Sequence, residues 1–322
     1  MRAYFPFPSW AGQATFDKRE PTRYGSIPMS NPLIALVTAE LSGPADPRAS
    51  AMAGALAARY PDAARAVLFY GSCLREENLD GLMLDFYLIV SDYAAAYGKS
   101  WLATANRLIP PNVFPFEHGG LIAKYAVLSE ADFARLNSPT ADNISVWARF
   151  AQPSRLLWAA NDLARHRAIT AVAQSAPTLL SLARPMTQAQ QDVLTLWKTG
   201  FSLTYNAELR AERKGRSFSI VDADPDRYRR FGEAALAHGL TPSLDPEQAA
   251  ARWRRLQRRG KYLSVIRLAK ASFTYAGGID YLAWKINRHA GTAIQIKAWQ
   301  RRWPLLGALT LLPRLFRGGA IR

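Results

Sequence analysis

The chain has a single cysteine, Cys73. No intramolecular disulfide can form within it, which fits a reducing compartment. Long apolar runs are also missing. No stretch reaches the roughly 18 consecutive apolar residues of a spanning helix. The opening residues, MRAYFPFPSWAG, lack the continuous apolar core of a secretory leader and the Arg- and Ser-rich character of a transit peptide. There is no internal repeat and no low-complexity tract. The four histidines, His118, His166, His238 and His289, show no metal-ligand spacing. Acids are scarce at one end. Between Arg252 and Arg322 the only one is Asp280, against sixteen Lys and Arg.

That last scarcity sets the charge pattern. The 322 residues carry a net charge of +16, and +15 of it lies in the final 71 residues. Residues 1–251 are nearly neutral. A basic block of this kind points to an anionic partner: lipid headgroups, nucleic acid or a polyphosphate. The hydrophobic share of 49% is enough for a globular core, and the length fits two domains or one with a large appendage.

Residues 1–32 read as an irregular arm rich in Pro, Gly and aromatics. Ala-rich residues 49–60 favour a helix. Three short apolar runs read as buried strands: 66–70, 82–90 and 121–128. A helix is expected over 96–108. Asn137-Ser138-Pro139-Thr140 marks a break. Helical spacing follows over 155–182, 187–205, 226–238 and 245–258, with a polar hairpin or loop over 206–224. The fold class expected is α+β: a mixed-sheet domain over 1–145, a mainly helical domain over 146–290 and a basic amphipathic tail over 291–322.

The chemistry concentrates in 67–90, VLFYGSCLREENLDGLMLDFYLIV. A strand runs into Gly71-Ser72, and a second strand carries one acid, Asp85. Glycine lets backbone approach a phosphate, and a serine hydroxyl with the N–H groups after it can donate to phosphate oxygens. A carboxylate on the neighbouring strand can hold the Mg²⁺ that bridges such phosphates. A charge inside an apolar strand is costly unless it is paired or metal-bound.

This pattern resembles the polymerase-β-like nucleotidyltransferase superfamily, in which a Gly-Ser turn precedes an acid, apolar, acid triplet. Here the triplet reads Asp85-Phe86-Tyr87, so the second carboxylate is missing. Asp80, Asp92 and Glu117 are candidates to replace it. A closer resemblance is to the mitochondrial-type phosphatidate cytidylyltransferases, the translocator-assembly-and-maintenance family, which also lack that second acid. Tyr70-Gly71-Ser72 and Met83-Leu84-Asp85-Phe86 stand in the family's motif positions. Further blocks follow in family order: Lys124-Tyr125-Ala126-Val127-Leu128-Ser129, Ala148-Arg149 with Pro153, Leu203-Thr204-Tyr205 with Arg210, Ser264-Val265-Ile266-Arg267, and Phe273-Thr274-Tyr275-Ala276-Gly277. Cys73, Asn206-Ala207-Glu208 and Tyr275 depart from the family pattern.

The resemblance implies transfer of CMP from CTP to phosphatidic acid, giving CDP-diacylglycerol and pyrophosphate with Mg²⁺. It implies a winged-helix-like second domain and a peripheral position on the cytoplasmic face of the inner membrane, or on the matrix face in a mitochondrion. Tyr70, Gly71 and Ser72 would cradle the nucleotide phosphates and Asp85 would hold the metal. Lys124 either answers a nucleotide phosphate or snorkels from its strand end. Arg149 either reaches a phosphate or makes a surface ion pair. Arg267 and Lys270 would line the phosphatidate headgroup site or belong to a solvated basic face. In residues 297–322 a short apolar core is flanked by Trp299, Trp303 and arginines. That suits an interfacial segment on anionic lipid, or a helix docked on the protein's own core. A soluble nucleotidyltransferase acting on RNA or a small molecule and a non-catalytic lipid-binding relative are the competing readings. No RNA-binding signature is present, so no nucleic-acid partner is expected.

Overall fold

The computed structural model describes residues 31–76, 78–187, 191–205, 220–240, 244–274 and 295–302. Apolar runs form the middle of its sheet: β1 (Ala64–Tyr70), β2 (Met83–Val90) and β4 (Leu121–Ser129). Each is covered on both faces, so its sequence is a continuous apolar run with little alternation. Two further strands, β3 (Asn112–His118) and β5 (Ser154–Ala159), close the sheet at its edges. The strand order is β3-β4-β2-β1-β5. β2 and β4 are parallel and the remaining neighbours antiparallel, so the sheet is mixed. The class is α+β, as the sequence leads one to expect.

Residues 155–182 are not one helical stretch. They open with β5, whose Leu156 lies opposite Leu68 of β1, and then form α7 (Asp162–Ala173) and α8 (Ser175–Ala183). A short apolar run satisfies either period, and here pairing with β1 decides it. The sheet therefore runs past residue 145. The helix expected over 96–108 begins only at Ser100, as α4 (Ser100–Leu108). Before it stands α3 (Tyr93–Ala96), capped by Asp92, which accepts from the N–H groups of Ala94 and Ala95 at 2.8 and 2.9 Å. Other helices fall where expected: α2 (Pro47–Ala58), α9 (Val193–Tyr205), α10 (Pro225–His238) and α11 (Pro246–Thr274), the last far longer than its sequence signal. The segments 1–30 of the arm and 206–219 of the expected loop lie outside the described residues, as do 303–322 of the tail. Among the described residues after Ala159 every regular element is helical.

The two faces of the sheet are covered differently. On one, Val67, Phe69, Phe86, Leu88, Tyr125 and Val127 pack against Met52 and Leu56 of α2. On the other, Leu68, Tyr87, Ile89 and Leu128 belong to a continuous apolar cluster. It takes in α1 (Pro32–Leu41), α5 (Glu130–Asn137), α6 (Trp147–Phe150) and helices α7 to α11. Helices approach closely within it: a Cβ on Gly200 of α9 would stand 2.2 Å from Leu179 Cδ2 of α8. One buried ion pair ties the first and later helices. Arg227 of α10 is 3% exposed and forks onto Glu40 of α1, with Nη2 donating to Oε1 at 2.9 Å. Its Nη1 donates to the Ala151 carbonyl at 3.1 Å, and its guanidinium lies 4.3 Å from the Phe231 ring centroid.

Candidate active site

Strand alternation carries the site. Leu68, Tyr87 and Ala126 point into the larger cluster, so residues two positions toward the other strand end share their face. Those residues are polar. Tyr70 of β1 lies opposite Asp85 of β2, and Asp85 lies beside Lys124 of β4. The row extends to Pro115 on β3 and Ser154 on β5. The apolar face thus ends in a line of side chains that crosses the sheet, with Asp85 at its centre. Lys124 Nζ stands 3.0 Å from Asp85 Oδ1, in a pair whose side chains are 32% and 20% exposed. The mid-strand lysine therefore has a carboxylate partner and faces the site.

Gly71 begins the turn at the end of β1. Its backbone adopts φ 98° and ψ −169°, a region that only glycine enters without strain. A Cβ there would lie 3.1 Å from Asp85 Oδ2. Any side chain at this position would press on the Asp85 carboxylate, which would have to give by a few tenths of an ångström. Ser72 follows at the start of a single 3-10 turn, Ser72–Arg75, and is exposed. The N–H groups that open such a turn have no partner within it. Cys73 is buried behind them and its Sγ donates to the Met83 carbonyl at 3.5 Å, fastening the turn to β2. Burial pushes the Cys73 thiol up, and the charge of Asp85 adds to this. It remains a protonated strut.

Tyr87 occupies the place of the missing acid and belongs to the core. It is 2% exposed, with its ring centroid 5.1 Å from that of Tyr70 and 5.2 Å from that of Phe150. Of the three candidate replacements, Asp80 is exposed and paired with Arg48 at 2.6 Å, and Asp92 caps α3 beyond the far end of β2. Glu117 lies on the same face as Lys124, since β3 alternates and Phe116 faces away with the smaller cluster. It is exposed and two strands from Asp85, roughly 10 Å across the sheet. Among the described residues no three His, Cys, Asp or Glu side chains converge.

The other three expected cations form a second group, in which Ser145 joins Arg149 to Arg267 and Lys270 lies near Arg267. Arg149 of α6 donates from Nη1 to the Ser145 carbonyl, and Arg267 of α11 donates from Nη1 to Ser145 Oγ at 3.0 Å. Arg267 also grips the Pro110 carbonyl through Nε at 2.9 Å and Nη2 at 2.6 Å, and Lys270 donates to the carbonyl of Ile109. Burial first, and the neighbouring Arg267 second, push the Lys270 ammonium down to about 7. Ser145 was not legible as a site residue, because a serine in a polar turn has no distinguishing signal. Two structural links connect the groups. Phe150, next to Arg149, packs on Tyr70 and Tyr87, and α11 packs against β3, whose Pro115 pairs with Lys124. The structure thus gathers Tyr70, Gly71, Ser72, Asp85 and Lys124 at one strand end, and Arg149 and Arg267 at Ser145, with Lys270 near Arg267.

No protein-family model matches the chain, and a search of curated proteins finds no relative.

Proposed function

We propose that this chain is a nucleotidyltransferase of the polymerase-β-like type, a phosphatidate cytidylyltransferase that moves CMP from CTP to phosphatidic acid and releases pyrophosphate. One observation carries the reading: a left-handed Gly71 closes against the Asp85 carboxylate while Lys124 meets that carboxylate from the next strand. A turn of this kind lets phosphate oxygens approach the backbone, with a carboxylate and an ammonium on the strands below. The mixed sheet is compatible with the superfamily fold, and a winged-helix-like arrangement of the later helices is part of the same proposal.

The donor set fits Mg²⁺, which commonly takes one or two carboxylates and completes its shell with substrate phosphates and water. Asp85 would hold it, with the Ser72 hydroxyl nearby in the turn. When bound, the ion supplies positive charge against the phosphates and eases departure of pyrophosphate. Gly71 admits the phosphates, and Ser72 donates to their oxygens. Lys124 has two tasks. It neutralises Asp85 in the free protein and offers its ammonium to the nucleotide in the complex. Tyr70 walls the site beside Tyr87. Arg149 serves the nucleotide, and Arg267 with Lys270 serves the phosphomonoester of the acceptor, whose charge would draw a proton onto Lys270. The basic segment 297–322 would hold the protein on an anionic membrane surface.

The enclosed Tyr87 favours a second reading, a lipid-binding relative without chemistry. Purified protein incubated with Mg²⁺, labelled CTP and detergent-dispersed phosphatidic acid, beside an RNA primer, separates the readings. Labelled lipid and free pyrophosphate are expected, with both lost in Asp85→Asn while the thermal unfolding midpoint is kept. Label in RNA would indicate a soluble polymerase-like enzyme. No label in either acceptor would leave the non-catalytic relative.

A further inference from the structure

The helix α11 divides by period into two opposed faces. Ala249, Trp253, Leu256 and Gly260 recur at spacings of four, three and four and are buried. Trp253 fixes this face by donating from Nε1 to the Leu182 carbonyl at 2.8 Å. On the opposite side lie Arg254, Arg255, Arg258 and Tyr262, flanked by Arg259 and Lys261, all exposed. Arg259 reaches Asp142 at 2.5 Å. Among the described residues Arg254, Arg255, Arg258 and Lys261 form no ion pair. The acid sharing their face, Glu247, lies seven residues before Arg254, about 10 Å along the axis.

Among the described residues the Arg259–Asp142 pair is the one ion pair this face makes. Arg254 and Arg258 stand four residues apart, where like charges work against a helix. Tyr262 is 68% exposed and lies between Arg255 and Arg258 on the wheel. A largely unpaired cationic face with an uncovered aromatic ring among its cations is the composition of a surface that meets an anionic partner.

We propose that this face of α11 docks the protein onto an anionic lipid surface. Shape and composition select lipid over nucleic acid. The face is one convex helix side, which lies flat on a headgroup plane and lets each cation meet its own lipid charge. A single-stranded nucleic acid is held in a groove with successive aromatic platforms, and this face offers one ring. A tyrosine here has its ring at headgroup depth and its hydroxyl in water. The surface is distinct in sequence from segment 297–322, and the proposal does not depend on catalysis, since a protein without turnover would dock in the same way.

The test is co-sedimentation of the full chain with phosphatidylcholine vesicles containing or lacking phosphatidylglycerol, against the triple variant Arg254→Gln, Arg258→Gln, Lys261→Gln. Each cation at an anionic surface changes partitioning roughly fivefold, so the variant should bind about a hundredfold more weakly. Binding by the parent should fall with added salt, and the variant should unfold at no lower a temperature than the parent. A second probe reads contact directly. Cys73 is buried, so Tyr262→Cys can be labelled selectively with an environment-sensitive fluorophore. Its emission should brighten with phosphatidylglycerol vesicles and stay unchanged with phosphatidylcholine alone. Equal vesicle binding by parent and variant, or a label that ignores anionic vesicles, overturns the proposal. Loss of binding to an RNA oligonucleotide in the variant, with vesicle binding unaltered, overturns it in favour of nucleic acid.

Discussion

A side chain at Gly71 meets two separate obstacles, a backbone φ of 98° and an Asp85 oxygen 3.1 Å from the Cβ position. Gly71→Ala should cost about 1–3 kcal/mol in urea unfolding. It should also lower pyrophosphate release about a hundredfold, because an error on the order of 1 Å in a reacting group is enough for that loss. Lys270 offers a pH test. Its folded value of about 7 lies below the ordinary lysine value of 10.5. Below about 7 the group is charged in both folded and unfolded chains, and the burial penalty is fully present. Between those values the unfolded chain holds a proton that the folded chain has released, so this group makes stability rise with pH across that window. Urea midpoints of parent and Lys270→Met, compared across the same range, should converge as pH rises, with the variant the more stable near neutrality. At this scale the sequence disclosed Asp85, Gly71 and Lys124, because a glycine before a buried charge, or a charge inside an apolar run, is conspicuous. It did not disclose that Arg267 holds the Pro110 carbonyl just before β3, since no local pattern records which distant loop a long side chain will reach.

Among elements, the strands recognised from sequence are the three in the middle of the sheet, and the two not recognised are its edges. Central strands are apolar on both faces and stand out as runs. β3 carries Pro115, which an edge tolerates and an inner strand does not, so its sequence argues against the element it forms. β5 merges into the Ala- and Leu-rich residues after it. The helix α1 was missed for another reason: its ten residues follow an aromatic, Pro-rich arm, and the cap that starts it is a single hydrogen bond from Leu33 N–H to Asn31 Oδ1 at 2.8 Å. Helix contacts yield a sharper expectation than helix signals. Gly200→Ala would push a methyl group into Leu179, and overpacking of this kind costs about 1–3 kcal/mol, readable as a lower urea midpoint with an unchanged m-value.

At the scale of the molecule, the Arg227–Glu40 pair joins residues 187 positions apart and makes the first helix part of the later helical layer. Removing one partner strands a buried charge. Arg227→Met should destabilise by about 3–5 kcal/mol, and adding Glu40→Gln should restore part of it, measured as a double-mutant cycle in urea. The charge asymmetry is a property of the same scale and was fully legible, because counting needs no structure. Where the cations point was not: a helical wheel on α11 gives a direction only once Trp253 is known to face inward.

The row from Ser154 to Pro115 has a consequence for how such proteins can be found. Asp85 meets Gly71 because strands pair in register, and the loop between the turn and β2 plays no part in that alignment. Residues can be inserted into or lost from that loop over evolutionary time without moving the carboxylate. One residue gained or lost inside β2 would turn Asp85 to the opposite side of the sheet. A search that counts positions from the glycine to the acid will discard genuine cousins. A search that asks for an acid at the right parity, beside a lysine on a parallel strand, will keep them.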